Sequence, residues 1–154
     1  MISFHQPAKN DALHLLDAAN LPTADLTEAH LNYFWALADQ QQPIGIIGLE
    51  PFAPYGLLRS LVVSPSRRNQ GVGTRLVQHA EIMARHMRIV ELYLLTSTAQ
   101  EFFENFDYRP VRRNSAPEAI KHTREFCSLC PASSTLMKKD LVKKQIDNAT
   151  QRHR

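Results

Sequence analysis

One short stretch, Arg68-Asn69-Gln70-Gly71-Val72-Gly73-Thr74, constrains this 154-residue chain more than any other. It follows a strand-like apolar run over residues 57–63 and opens an amphipathic segment with helical spacing to about residue 88. A strand, a glycine-bearing turn and a helix start, in that order, make an anion site. The first N–H groups of a helix have no partner within it, and the helix dipole leaves partial positive charge there. Gly71 and Gly73 have no Cβ to hold a ligand away from the backbone. Arg68 adds a permanent charge and a fork of donors. The turn is therefore expected to meet phosphates.

Spacing narrows the choice. The dinucleotide pattern Gly-x-Gly-x-x-Gly fails because position 76 is Leu, and the nucleoside-triphosphate loop Gly-x-x-x-x-Gly-Lys-Ser/Thr is missing. What remains is Arg-x-x-Gly-x-Gly after a strand. Composition excludes other classes. The net charge is +3, but residues 138–154 alone carry six Lys/Arg against two Asp, a net +4, leaving −1 on the other 137 residues. A basic tail at 142–154 is thus expected beyond a single domain at 1–141, with no nucleic-acid-binding face on the body. No apolar run approaches a membrane span and the N-terminus has no signal-peptide pattern, so no membrane partner and a cytoplasmic protein are expected. Two cysteines make no disulfide framework.

Periodicity predicts a strand at 2–4 and a helix capped by Asn10 or Asp11, with Ala12, Leu15, Leu16 and Ala19 on one face, ended by Pro22. A short helix at 25–30 and strands at 33–38, 44–50 and 57–63 follow, the last two joined by a loop at 51–56. The helix at 72–88 carries an apolar stripe of Val72, Leu76, Ala80, Met83 and Met87. A strand at 90–95 should run parallel to 57–63, because a helix separates them. A helix at 98–106, a strand at 108–113, a short helix at 116–123, an irregular stretch and a strand at 135–141 complete the reading. The class is α+β, a mixed sheet flanked by helices.

Those elements, with the phosphate loop at the strand-to-helix step, resemble the GNAT superfamily of N-acetyltransferases over residues 2–141. Phe102-Phe103-Glu104-Asn105-Phe106-Asp107-Tyr108 is similar to that superfamily's helix-to-strand corner. Gly48-Leu49-Glu50, residues 57–63, Leu92-Tyr93-Leu94-Leu95-Thr96 and Leu129-Cys130-Pro131-Ala132-Ser133 resemble its arsenic-resistance-associated branch. The resemblance implies acetyl-CoA as cosubstrate, with Arg68, Asn69, Gln70, Gly71, Val72, Gly73 and Thr74 on its pyrophosphate. It implies backbone donors at Leu61, Val62 and Val63, and places Thr96 and Phe103 where the family has cofactor-facing residues. The acceptor it implies is a small amine bearing an acidic group, phosphinic or arsinic in that branch, and family members often pair as homodimers through C-terminal strands. Phe103 stands where many members have a proton-donating tyrosine, Asp107 where a glycine is usual, and Thr96 where asparagine is frequent.

Acetyl transfer from a thioester to an amine needs positioning, donors for the carbonyl oxygen and a neutral amine. Alkylamines hold their proton to about pH 10, so a base is expected, and Glu50 at its strand end is the candidate, acting through water. The leaving thiol departs as thiolate with little help, with Tyr108, Ser97 and Thr98 as stand-in acids by position. Arg59, an arginine in an apolar strand, reads either as a fork for an acidic group on the substrate, with Ser60 beside it if the strand bulges, or as one half of an internal ion pair with Glu50. Arg112, Arg113 and Lys121 would draw an acidic acceptor or simply face water. Cys127 and Cys130, with His122 upstream, offer soft ligands, but one Cys-x-x-Cys is a thin basis for a metal, and no metal is expected. Two further readings share the chain: an acyl-CoA-binding sensor without catalysis, and a thiol-based metalloid-binding protein.

Overall fold

The computed structural model describes residues 2–142. The expected basic tail lies outside the described residues, apart from Val142. The described residues divide into two compact units, 2–50 with Leu58–Met83, and Pro51–Leu57 with 84–142.

The first unit holds β1 (Ile2–His5), α1 (Lys9–Ala18), α2 (Glu28–Leu31), β2 (Phe34–Asp39), most of β3 (Gln42–Phe52), the second part of β4 (Tyr55–Val63) and most of α3 (Val72–His86). Its strand order is β1-β2-β3-β4. β1 and β2 are antiparallel, Ile2 facing Asp39, and β2 pairs antiparallel with β3 around a tight turn at Gln40 and Gln41, both with positive φ. Phe34 lies opposite Gly48, where a Cβ would come within 2.4 Å of the Phe34 ring; bare backbone there lets the ring lie on β3. Ala12, Leu16, Leu26, Leu31, Phe34, Ile46 and Val62 form one buried cluster, and Leu15 and Ala19 of the expected helix face pack against it or stand half-buried.

The expected caps at Asn10 and Asp11 are not used. α1 starts a turn earlier with Ala8 as its N-cap and no side-chain cap bond, because its first turn faces water, which satisfies the free N–H groups. Nor is Pro22 its terminator. Asn20 turns left-handed at φ 58, Leu21 N–H bonds to Leu16 C=O and Asn20 N–H to Asp17 C=O, closing the helix before the proline. α2 is shorter than expected, since Asp25 leaves the helical path and Thr27 caps instead.

In the second unit the strand order is β4-β5-β7-β6, with β5 at Glu91–Thr96, β6 at Arg109–Val111 and β7 at Thr135–Asp140. The expected parallel step is present, Tyr55 to Leu57 running beside Glu91 to Tyr93, while β7 pairs antiparallel with both β5 and β6. α4 (Gln100–Glu104), α5 (Glu118–Lys121) and a π turn at Glu125–Leu129 connect these strands. The loop expected at 51–56 shrinks to Ala53 and Pro54, because paired backbone carries β3 and β4 nearly to the turn. β6 is shorter than expected: Tyr108 turns into the core, with its ring 5.6 Å from that of Phe103. Asp107 takes φ 71, the left-handed corner for which a glycine is usual. Leu57, Tyr93, Ala116, Ile120 and Leu136 form this unit's core. Among the described residues no helix is long and apolar enough to cross a membrane.

Candidate active site

The glycine turn is built from β4 outward. Ser64 N–H bonds to Ile44 C=O, a 3-10 turn spans Pro65–Arg67, and the chain then passes left-handed through Asn69 (φ 65) and Gly71 (φ 79) into α3. The first helical bond runs from Arg75 N–H to Gly71 C=O, so the N–H groups of Val72, Gly73 and Thr74 have no partner in their own helix. Arg68, Asn69, Gln70 and Gly71 are exposed, and nothing lies within 4 Å of where a Cβ on Gly71 would stand. Arg67, the neighbouring cation, is tied down by Asp39 Oδ2 at 2.9 Å. Val72 and Leu76 bury the inner face of the helix start, and Gly45 of β3 makes room for it: a Cβ there would meet Leu76 Cδ1 at 2.7 Å and Val62 O at 3.0 Å. Sequence reading missed Gly45, because its reason is a helix thirty residues away.

A second feature in the same unit is a buried charged cluster. Arg59 is 5% exposed. Its Nη1 and Nη2 hold both oxygens of Asp25, the Nη2 contact at 2.9 Å, and Nη1 also donates to Glu50 Oε2 at 2.9 Å. Nε donates to Ser60 Oγ at 3.1 Å. Neighbours on a regular strand point to opposite faces, so this contact depends on Ser60 adopting φ 61, which breaks the alternation. The Phe34 ring, 5.9 Å from the guanidinium carbon, closes another side. Of the two readings of Arg59, the structure selects the internal ion pair, and adds a partner that sequence reading missed. Burial by itself would raise the Asp25 carboxyl; the hydrogen bonds and charge of Arg59 outweigh it and hold the group below its ordinary value. An arginine in an apolar strand signals that some carboxylate must answer it, but not which one.

His30 completes the cluster. Thr27 N–H donates to His30 Nδ1 at 3.1 Å while Thr27 Oγ1 accepts from His30 N–H, a capping box with histidine in the usual glutamate position. With Nδ1 an acceptor, the neutral ring carries its hydrogen on Nε2, which lies 4.0 Å from Glu50 Oε1. Glu50, 9% exposed, is thus held at one oxygen by Arg59 and faced at the other by His30. Asp25, His30 and Glu50 could between them offer a metal three atoms within 4.8 Å of one another, though Arg59 already supplies a positive charge at hydrogen-bond distance from both carboxylates. The cysteine pair with His122 makes no such group among the described residues.

Of the remaining expected site residues, Val62 is buried in the core of the first unit, while Leu61 and Val63 beside it are half-buried. In the second unit, Thr96 Oγ1 accepts the Ala99 N–H at 2.9 Å and starts the turn into α4. Phe103 is 6% exposed, edge-on to Phe102 and Tyr108. Tyr108 is fully buried, which removes it as a stand-in acid open to a leaving thiol. Arg113 is engaged by Ser134 O and Phe126 O.

A family model described as "Acetyltransferase (GNAT) domain" matches residues 30–110, more than half of the chain. The chain belongs to the GNAT acetyltransferase family. A curated relative, an uncharacterized N-acetyltransferase of Chlorobaculum tepidum, is 27% identical over 103 residues, covering 66% of this chain and 64% of the relative. Among solved structures, N-acetylglutamate synthase from Neisseria gonorrhoeae, complexed with coenzyme A and N-acetyl-glutamate, superposes with TM-score 0.78 at 22% identity. That match covers 92% of this chain but 35% of the synthase. A GNAT acetyltransferase from Staphylococcus aureus gives TM-score 0.71 at 20% identity, covering 92% of this chain and 99% of that one. At these identities the structural matches establish the GNAT fold.

Proposed function

We propose that the protein is an acetyl-CoA-dependent N-acetyltransferase acting on a small amine. The observation that carries this reading is the exposed turn from Arg68 to Gly71 at the start of α3, in a chain of the GNAT family. The resemblance of the fold to a synthase complexed with coenzyme A supports it. The pyrophosphate lies on the N–H groups of Val72, Gly73 and Thr74 with Arg68 beside it.

The backbone at Leu61–Val63 stabilises the thioester oxygen as charge develops on it. Glu50 takes the amine proton through water. Arg59 is then a positioning residue: with Asp25 it fixes which Glu50 oxygen stays available. Coenzyme A leaves as a thiolate, an ordinary thiol holding its proton only to about pH 8.5, so Phe103 is no obstacle.

The resemblance to the arsenic-resistance branch favours a phosphinic or arsinic amino acid as acceptor. With the Arg59 fork committed to Asp25 and Glu50, that acidic group must be met by other cations or by backbone N–H groups. Calorimetric titration with coenzyme A and a thiol-release screen over phosphinic, arsinic, carboxylic and uncharged amines test the reading. No coenzyme A binding at millimolar concentration sinks it. Tight binding with no turnover on any amine favours the acyl-CoA sensor instead.

A further inference from the structure

The π turn Glu125–Leu129 and the residue that ends it bring two thiols and a buried carboxylate into one turn of chain. Glu125 is 6% exposed, and its Oε2 accepts a hydrogen bond from the Cys130 thiol at 2.7 Å. Cys127 is exposed and Cys130 half-buried. The Cys130 N–H bonds to Glu125 C=O, the wide pattern that gives a π turn, and such turns are frequent at functional positions.

The frame around the thiols is firm. Arg113 donates to Phe126 O at 3.3 Å and to Ser134 O at 3.0 Å, and its guanidinium carbon lies 4.7 Å from the Phe126 ring centre. Ile120 and Phe126 pack with Leu57, Tyr93 and Leu136. Side chains three apart on a helical turn have Cβ atoms about 5–6 Å apart, and a disulfide needs about 3.5–4.5 Å. Cys130 ends the turn with an extended backbone, φ −86 and ψ 143, so no following helical turn opposes the approach of about 1–2 Å that a disulfide requires from that spacing.

We propose that Cys127 and Cys130 form a reversible intramolecular disulfide, entered at Cys127 and closed by Cys130. The oxidant is a low-molecular-weight disulfide such as glutathione disulfide. The Cys127 thiolate attacks one of its sulfurs, forming a mixed disulfide and releasing one glutathione thiolate. Glu125 accepts the Cys130 proton, the resulting thiolate attacks the Cys127 sulfur, and the second glutathione leaves. Two protein thiols and one glutathione disulfide thus become one protein disulfide and two molecules of glutathione. Burial and the hydrogen bond to Glu125 make Cys130 the resolving thiol; exposure makes Cys127 the entry point. This site stands independently of the acetyltransferase reading.

The test is intact-mass analysis of the folded protein in glutathione redox buffers of increasing oxidation, with peptide mapping. The wild type should lose two hydrogens, with the mapped link between residues 127 and 130, and should regain them in reduced glutathione. Cys130→Ser should stop at one glutathione on Cys127. Glu125→Gln should slow closure about a hundredfold, the lower end of what a positioned proton acceptor contributes, so that the mixed disulfide accumulates. A wild type that stays reduced, retains stable glutathione or links between two chains overturns the proposal. Closure of Glu125→Gln at the wild-type rate overturns the role of Glu125, and the serine variant tests the order of thiols even if the glutamine variant fails to fold.

Discussion

The glycine turn at 68–74 and the cluster around Arg59 belong to the same unit and rest on opposite physics. The turn is exposed, made by backbone, and local: a strand, two left-handed residues and a helix start set it up within about a dozen positions. The cluster is buried except for the half-buried His30, made by side chains, and non-local: Asp25, His30, Glu50 and Arg59 come from a loop, a helix and two strands. An exposed site can lose a side chain cheaply, because water replaces the lost contact. A buried ion pair cannot, because the charge left behind has no solvent.

The sharpest break in that contrast is Arg59→Ala. It strands two buried carboxylates and should destabilise the fold by about 3–5 kcal/mol, read from urea unfolding. A loss below about 1 kcal/mol would mean that the cluster is solvated in solution and that the contrast is false. Gly71→Ala comes next. Nothing crowds a Cβ there, so only the left-handed backbone resists, at a cost of about 1–2 kcal/mol together with weaker coenzyme A binding.

Acid sharpens the comparison from the buried side. Asp25 titrates below its ordinary 3.8 in the folded protein, so its contribution is present above that pH and disappears as pH falls through the lower folded value. His79, pushed below 6.5 by burial beside Phe4 and Trp35, binds its proton more readily when unfolded. Stability should therefore begin to fall below pH 6.5 and fall again below 3.8. Urea midpoints against pH should lose the first step in His79→Phe and the second in Asp25→Asn. The smallest structural effect belongs to Arg68→Ala: stability should stay within about 0.5 kcal/mol of wild type. Coenzyme A affinity in the same variant should drop about tenfold, the worth of one charge-assisted hydrogen bond, by calorimetry.

The apolar spacing along 72–86, the glycine pair and the parallel β4–β5 step could be read from the chain because each is encoded within one or two elements, where period and turn chemistry act directly. Asp107, which the resemblance puts where a glycine is usual, does take the left-handed corner. Three things had to wait for the folded chain: the second partner of Arg59, the histidine that faces Glu50, and the space that Gly45 gives to α3. Sequence states that a buried guanidinium needs a carboxylate and that a helix needs a surface to rest on. Which carboxylate and which surface are settled by packing between distant segments, whose close approach leaves no periodic trace along the chain.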